Sequence, residues 1–332
     1  MRTETWLCAT ALAFAFATPA FAQAPAPGQP RLLPSAAAAY GEYQSEVSSI
    51  QAAPLKGASE LDKALDTFGA QNPDQLSSGW IAYSAMIAAQ DKDFATEVRN
   101  IDSYYGRDRV MTGMRNDVGY ARTLKGGERA LQNALQANSR DAGRISSAAA
   151  FVKAQAYKLQ DVTWGKSRLK DAGGVANKLK VNAKTTKPIT DAAQKLFAGP
   201  DLNLVLANAT GGENSSVWDK ISVFTASAPA AALSTLAPGV GSSSAMKVDP
   251  KRESTANRIV TLAAFHVLEA ENTNKDDVKA AMKDKPTFDC IDWSQLQLQA
   301  CVSAAYTRAD LSFCLAEHAI GDAGQCFSNV AK

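Results

Sequence analysis

The chain of 332 residues carries 35 Lys or Arg against 33 Asp or Glu, a net charge of +2, so no global field selects a polyanion such as nucleic acid. Hydrophobic residues make up 46% of it, which excludes a largely disordered protein and allows one large core or two smaller ones. Two histidines exclude a His-rich metal site.

The first residues, MRTETWLCATALAFAFATPAFAQ, have the order of a secretory signal peptide. Arg2 gives a basic start, Trp6 to Ala17 is apolar but too short to span a bilayer, and Ala20-Phe21-Ala22 is an A-x-A cleavage site. The reading predicts cleavage after Ala22 and a periplasmic or secreted protein. Cys8 lies far upstream of that site and lacks a small residue before it, so no lipid anchor is expected. Residues 23–35 read as a Pro/Ala-rich linker.

From residue 36 the pattern turns helical, and the predicted fold class is all-α or nearly so: a multi-helix body, 36–198, and a helical segment, 251–332. Asn72-Pro73 with Gln75 reads as a capped helix start, and Asp249-Pro250 repeats it. Ser216 with Asp219, and Asp292 with Gln295, have the same spacing in looser form. Ile145, Ala149, Val152, Ala156 and Leu159 fall on one helical stripe, as do Ile259, Leu262, Ala263 and His266. LNLVLAN, from Leu202, is the one period-2 run.

Residues 199–250 are rich in Gly, Ser and Pro. Within them Ile221 to Met246 is uncharged and long enough to cross a bilayer, but it holds Pro229, Pro238, Gly239, Gly241 and eight Ser or Thr. Such a stretch transfers poorly to hydrocarbon, so a buried helix followed by a loop is expected and no transmembrane anchor is predicted.

The four cysteines that cleavage would leave, Cys290, Cys301, Cys314 and Cys326, are separated by ten, twelve and eleven residues. Those gaps do not suit the close ligand pairs of zinc sites, and there is no C-x-x-C. In an exported chain they imply two disulfides. Cys290/Cys326 and Cys301/Cys314 are both centred on Thr307–Arg308, which predicts an antiparallel helical hairpin with nested bridges. Each would stabilise the fold by roughly 3 kcal/mol. Gly321 and Gly324 are read as breaks, so the outer bridge is expected to join non-helical flanks. In spacing alone the nested pair resembles the coiled-coil-helix–coiled-coil-helix domain; its gaps differ from that family's regular pattern, and the resemblance implies no function.

Catalytic signatures are few. TWGKS at Thr163 lacks the upstream glycine of a phosphate-binding loop, since Gln160 stands there. SRLK, Ser167 to Lys170, matches the S-x-x-K of penicillin-recognising enzymes without their remote K-T-G strand. His266, with Glu269 one turn on, reads as a satisfied buried histidine, and His318 as packing beside the inner bridge. No catalytic residue, cofactor or metal is assigned.

Local charge is the stronger lead. Arg140 to Lys195 holds twelve Lys or Arg against four Asp. Its candidate ligand-binding residues are Lys153 and Lys158, then Lys166, Arg168 and Lys170, then Lys178, Lys180, Lys184 and Lys187. The expected function is a non-enzymatic exported protein that binds or scaffolds envelope or extracellular components. Its partners would be an anionic polysaccharide, a lipopolysaccharide or an acidic envelope protein, and nucleic acid is not expected. The alternatives are an envelope hydrolase using His266 or Ser167, and a membrane-active protein using residues 221–246.

Overall fold

Short polar side chains set where several of the helices begin. The computed structural model describes residues 31–199, 202–209, 217–220 and 245–331; the signal sequence, linker residues 23–30 and most of 221–246 lie outside the described residues. In chain order the helices are α1 (Leu32–Ala52), α2 (Ala58–Phe68), α3 (Pro73–Ala88), α4 (Lys92–Tyr105), α5 (Arg107–Asn116), α6 (Tyr120–Thr123), α7 (Gly127–Leu159) and α8 (Ala172–Asn182). They continue with α9 (Asp191–Ala198), α10 (Leu202–Ala209), α11 (Val217–Lys220), α12 (Glu253–Val267), α13 (Lys275–Met282), α14 (Lys285–Ala304), α15 (Arg308–Cys314) and α16 (Ala323–Ser328). A 3-10 turn, Pro250–Arg252, precedes α12, and a π-helical stretch, Leu315–Asp322, joins α15 to α16.

The all-α expectation holds among the described residues: they form no strand, only two isolated β-bridges. Asn72 accepts from the Gln75 N–H at 2.9 Å with Pro73 at the first helical position. Asp249 accepts from the Lys251 N–H at the 3-10 turn. α15 opens on a reciprocal capping box between Thr307 and Asp310. Other expectations change. α1 starts at Leu32, inside the residues read as linker. LNLVLAN is helix α10, too short a run for its period to decide. α14 begins at Lys285, not Asp292, because Asp284 accepts from the Thr287 N–H. The proposed Ser216 cap lies outside the described residues.

α3 occupies the centre. Every residue from Gly79 to Ala89 is buried, so beyond its first turns the helix has no solvent face. It packs on α1, α7, α12 and α14, and one apolar cluster runs from Leu33 to Ala331 through all of these helices. Phe327 of α16 inserts into its middle, with ring centroids 5.2 Å from Tyr40, 5.9 Å from Tyr43 and 5.8 Å from Trp80.

Both nested disulfides are present, Cys290–Cys326 and Cys301–Cys314, each with Cα atoms 5.6 Å apart. The outer bridge, however, joins helix to helix, since Cys290 lies in α14 and Cys326 in α16. Gly324 does not break the chain. A Cβ there would come within 2.7 Å of Ile145 Cγ2, so this glycine lets α16 lie close against α7.

Gly79 does the same for α3 and α1: a Cβ on it would meet the backbone at Ala36 O (2.9 Å) and Tyr40 N (3.0 Å). Gly79→Ala is expected to cost about 1–3 kcal/mol by forcing the pair apart. Gly143, exposed in mid-α7 with nothing within 4 Å of its Cβ position, should gain about 0.5–1 kcal/mol as alanine. Urea unfolding midpoints of the two variants check both signs.

Candidate functional site

The nine candidate cations of the basic segment run from the last turns of α7, through the connection 160–171, into α8 and the turn before α9. α8 is fixed by Leu179, which is buried, and by Asp171, whose side chain accepts from the Gly174 N–H. Three of the nine candidate cations are spent holding it to the body. Lys153 Nζ lies 2.7 Å from Glu317 Oε2 and 5.1 Å above the Phe313 ring. Lys178 Nζ is 2.7 Å from Asp66 of α2. Lys187 Nζ is 3.3 Å from Glu46 Oε1 and donates to the Thr67 carbonyl.

The rest face solvent. Lys158, Lys166, Lys170, Lys180 and Lys184 are exposed and have no carboxylate within ion-pair distance among the described residues. Arg168 is exposed too, with its guanidinium 4.9 Å from the centroid of Tyr306. The backbone secures that stack: Leu169 N–H donates to the Tyr306 carbonyl at 3.0 Å, and Ala309 N–H to the Gly165 carbonyl. The connection 160–171 is thus tied to the start of α15.

Beside it opens a groove of about 390 Å³ between the end of α7 and the α14–α15 corner. Tyr157 and Phe313 form an edge-to-face wall, centroids 6.3 Å apart, and Ala305 and Ala309 face them. The Cys301–Cys314 bridge lines the same groove. Sequence reasoning did not find it, because its two walls lie about 150 residues apart. The signal available was Tyr157, an aromatic side chain in the basic segment that the structure leaves exposed.

His266 is buried, as expected, but its partner is not Glu269. α12 ends at Val267 and Glu269 takes a left-handed backbone (φ 52°), which brings Glu271 under the ring, 2.5 Å from Nδ1. Arg31 donates to Glu271 at 2.8 Å and to the His266 carbonyl. Burial pushes the Glu271 carboxyl up, yet His266, Arg31 and the Leu33 N–H together hold it below the usual carboxylate range. This cluster fastens the start of α1 to the end of α12. Ser167 Oγ donates to the Trp164 carbonyl at 2.6 Å, and residues 161–170 are turns rather than helix, so Lys170 is not one helical turn from it. His318 Nδ1 is 2.8 Å from Asp322 on its own helical stretch. Neither histidine, nor Ser167, is thereby arranged as a nucleophile and base. Among the described residues no three His, Cys, Asp or Glu side chains cluster as metal ligands.

No family model, no curated protein and no solved structure matches this chain.

Glu46, the partner of Lys187, is the most perturbed carboxylate on this side of the protein. Burial pushes it up to about 7 against the opposing pull of Lys187 and Gln71. The folded chain therefore holds this proton more tightly than the unfolded chain, whose carboxyl has the ordinary value of 4.5. Its contribution is fully present below about pH 4.5 and is lost as pH rises to about 7, on the order of 3 kcal/mol. Glu46→Gln should flatten that fall, measured as urea midpoints between pH 5 and pH 8. A decline as steep as the wild type's would contradict the assignment.

Proposed function

We propose that the protein is an exported, non-enzymatic binding protein that holds an anionic component of the cell envelope or its surroundings on the α7–α8 surface. The observation that supports this most is the state of the basic segment. Lys158, Lys166, Lys170, Lys180 and Lys184 remain exposed without carboxylate partners, while the chain as a whole has almost no net charge. Exposed cations that could have been paired with the acids of a near-neutral chain raise the local potential and attract anions, less strongly as salt rises. Arg168 stacked on Tyr306, and Tyr157 at the groove, add flat surfaces on which a sugar ring can lie.

Phosphate, sulfate or carboxylate groups on a polysaccharide or lipopolysaccharide have the right chemistry. Export is supported by the two disulfides, which persist in oxidising compartments. Among the described residues no helix is long and apolar enough to cross a membrane.

The test is retention on beads bearing a sulfated polysaccharide, at low and high salt. Wild-type protein should be retained at low salt and released as salt rises. Combined Lys166→Glu, Arg168→Glu and Lys170→Glu substitutions should weaken retention at least about tenfold while costing the fold no more than about 1 kcal/mol, the Arg168–Tyr306 stack, since all three side chains are exposed. Equal retention of the variant would remove the basic segment from consideration.

A further inference from the structure

α14 has two apolar faces, and the fold uses only one. Ile291, Leu298 and Val302 are buried toward the body. On the other side Trp293, Leu296, Ala300 and Ala304 fall at steps of three, four and four, one stripe about 16 Å long. Trp293 is 62% exposed and Leu296 46%. From Trp293 to Thr307 the sequence holds no charged residue. The last member of the stripe, Ala304, also lines the groove beside Tyr157.

The neighbour of this stripe is α8, and its direction can be fixed. Its approach pairs with the end of α14, since Leu169 N–H donates to the Tyr306 carbonyl. Further along, Leu179 and Leu298 both lie against Gly69, where a Cβ would come within 2.5 Å of one and 3.2 Å of the other. The two helices therefore run antiparallel. Val181, 57% exposed, and the exposed Lys180 and Lys184 lie at the level of Leu296 and Trp293. The acids at this end of α14 are occupied or turned in: Asp289 is 2.6 Å from Lys285, and Asp292 is half-buried.

We infer that the α8–α14 face docks on a bilayer surface rich in anionic lipid, with Trp293, Leu296 and Val181 entering the headgroup–acyl boundary and Lys180 and Lys184 meeting the lipid phosphates. The inference rests on the proposed reading of the basic segment as a binding surface, and it names one partner of that surface. Charge complementarity selects the occupant. A free polyanionic chain would use the lysines and leave the apolar stripe in water, whereas an anionic bilayer uses both. Tryptophan is suited to that boundary, with an apolar body and one N–H at its edge, and lysine stems lie along apolar surface while their ammonium groups stay in water. Since no described helix can cross a membrane, α14 would lie on the surface.

The experiment is co-sedimentation with vesicles, using the protein isolated after export. Vesicles of phosphatidylcholine with phosphatidylglycerol should bind it at least about tenfold more tightly than phosphatidylcholine alone. The pair Trp293→Gln and Leu296→Gln, which removes apolar surface without changing charge, should weaken this binding at least about tenfold while leaving retention on the sulfated polysaccharide unchanged. Lipids brominated on their acyl chains should quench tryptophan fluorescence, and Trp293→Phe, which keeps the apolar contact, should bind but lose most of the quenching. Failure of wild-type protein to bind anionic vesicles, or equal binding by the Gln variant, would overturn the inference while leaving the polysaccharide result to judge the broader reading. Concentration-dependent dimerisation that Trp293→Asp abolishes, with no vesicle binding, would overturn it in favour of a second copy of this chain.

Discussion

A helix with no solvent face has to be surrounded, and in this protein that helix is α3. From Gly79 to Ala89 each residue is covered, so helices must close over it from every side. α1 comes closest because Gly79 presents only hydrogen to it. Of the polar groups this enclosure traps, Ser84 is answered locally, its Oγ donating to the Trp80 carbonyl at 2.8 Å and sharing hydrogen bonds with Asn138 of α7, whereas Trp80 Nε1 is buried with no hydrogen-bond partner among the described residues. Deeper still, Tyr40 donates to Asp141 at 3.2 Å and accepts from Gln44, while Arg144 bridges Gln44 to Ser48. The union of α1, α3 and α7 is thus a polar ladder set within an aromatic core, and it fixes their register more narrowly than apolar contact alone could.

The C-terminal hairpin belongs to the same enclosure. Phe327 fills the space between Tyr40, Tyr43 and Trp80, and it directly follows Cys326. The outer bridge therefore fastens the residue beside the plug of the core to α14. Without it, the last turns of the continuous helical run from α15 to α16 would be held by packing alone. The inner bridge performs a different task, holding the corner where α14 gives way to α15 and where the groove opens.

Much of this was legible in the sequence because it depended on near neighbours. The cap at Asn72, the stripe from Ile145 to Leu159 and the nested cysteines all follow from local spacing. Errors arose where a local rule met a distant partner. Gly324 reads as a break until Ile145 of α7 is seen against it. Glu269 reads as the mate of His266 only if the helix continues, and a left-handed residue at that position substitutes Glu271. The charge excess of the basic segment could be counted. Which lysines were engaged by the fold could not, since Glu317, Asp66 and Glu46 stand 112 to 164 residues away from their partners.

That sorting of cations is what gives the surface its meaning. Lys153, Lys178 and Lys187 serve the fold, so charge in this segment is not simply a solvated coating. The unpaired remainder lies beside a helix face whose composition the fold does not require. Ile291, Leu298 and Val302 already supply the buried side of α14, and a polar residue at position 293 or 296 would leave that packing untouched. Exposed tryptophan and leucine on a stable helix favour unwanted association, and natural surfaces keep such patches small unless they are used. An uncharged stripe bordered by free lysines escapes that objection on the surface proposed above, where apolar depth and negative charge are offered together. The chemistry of the α8–α14 face therefore argues for an interface.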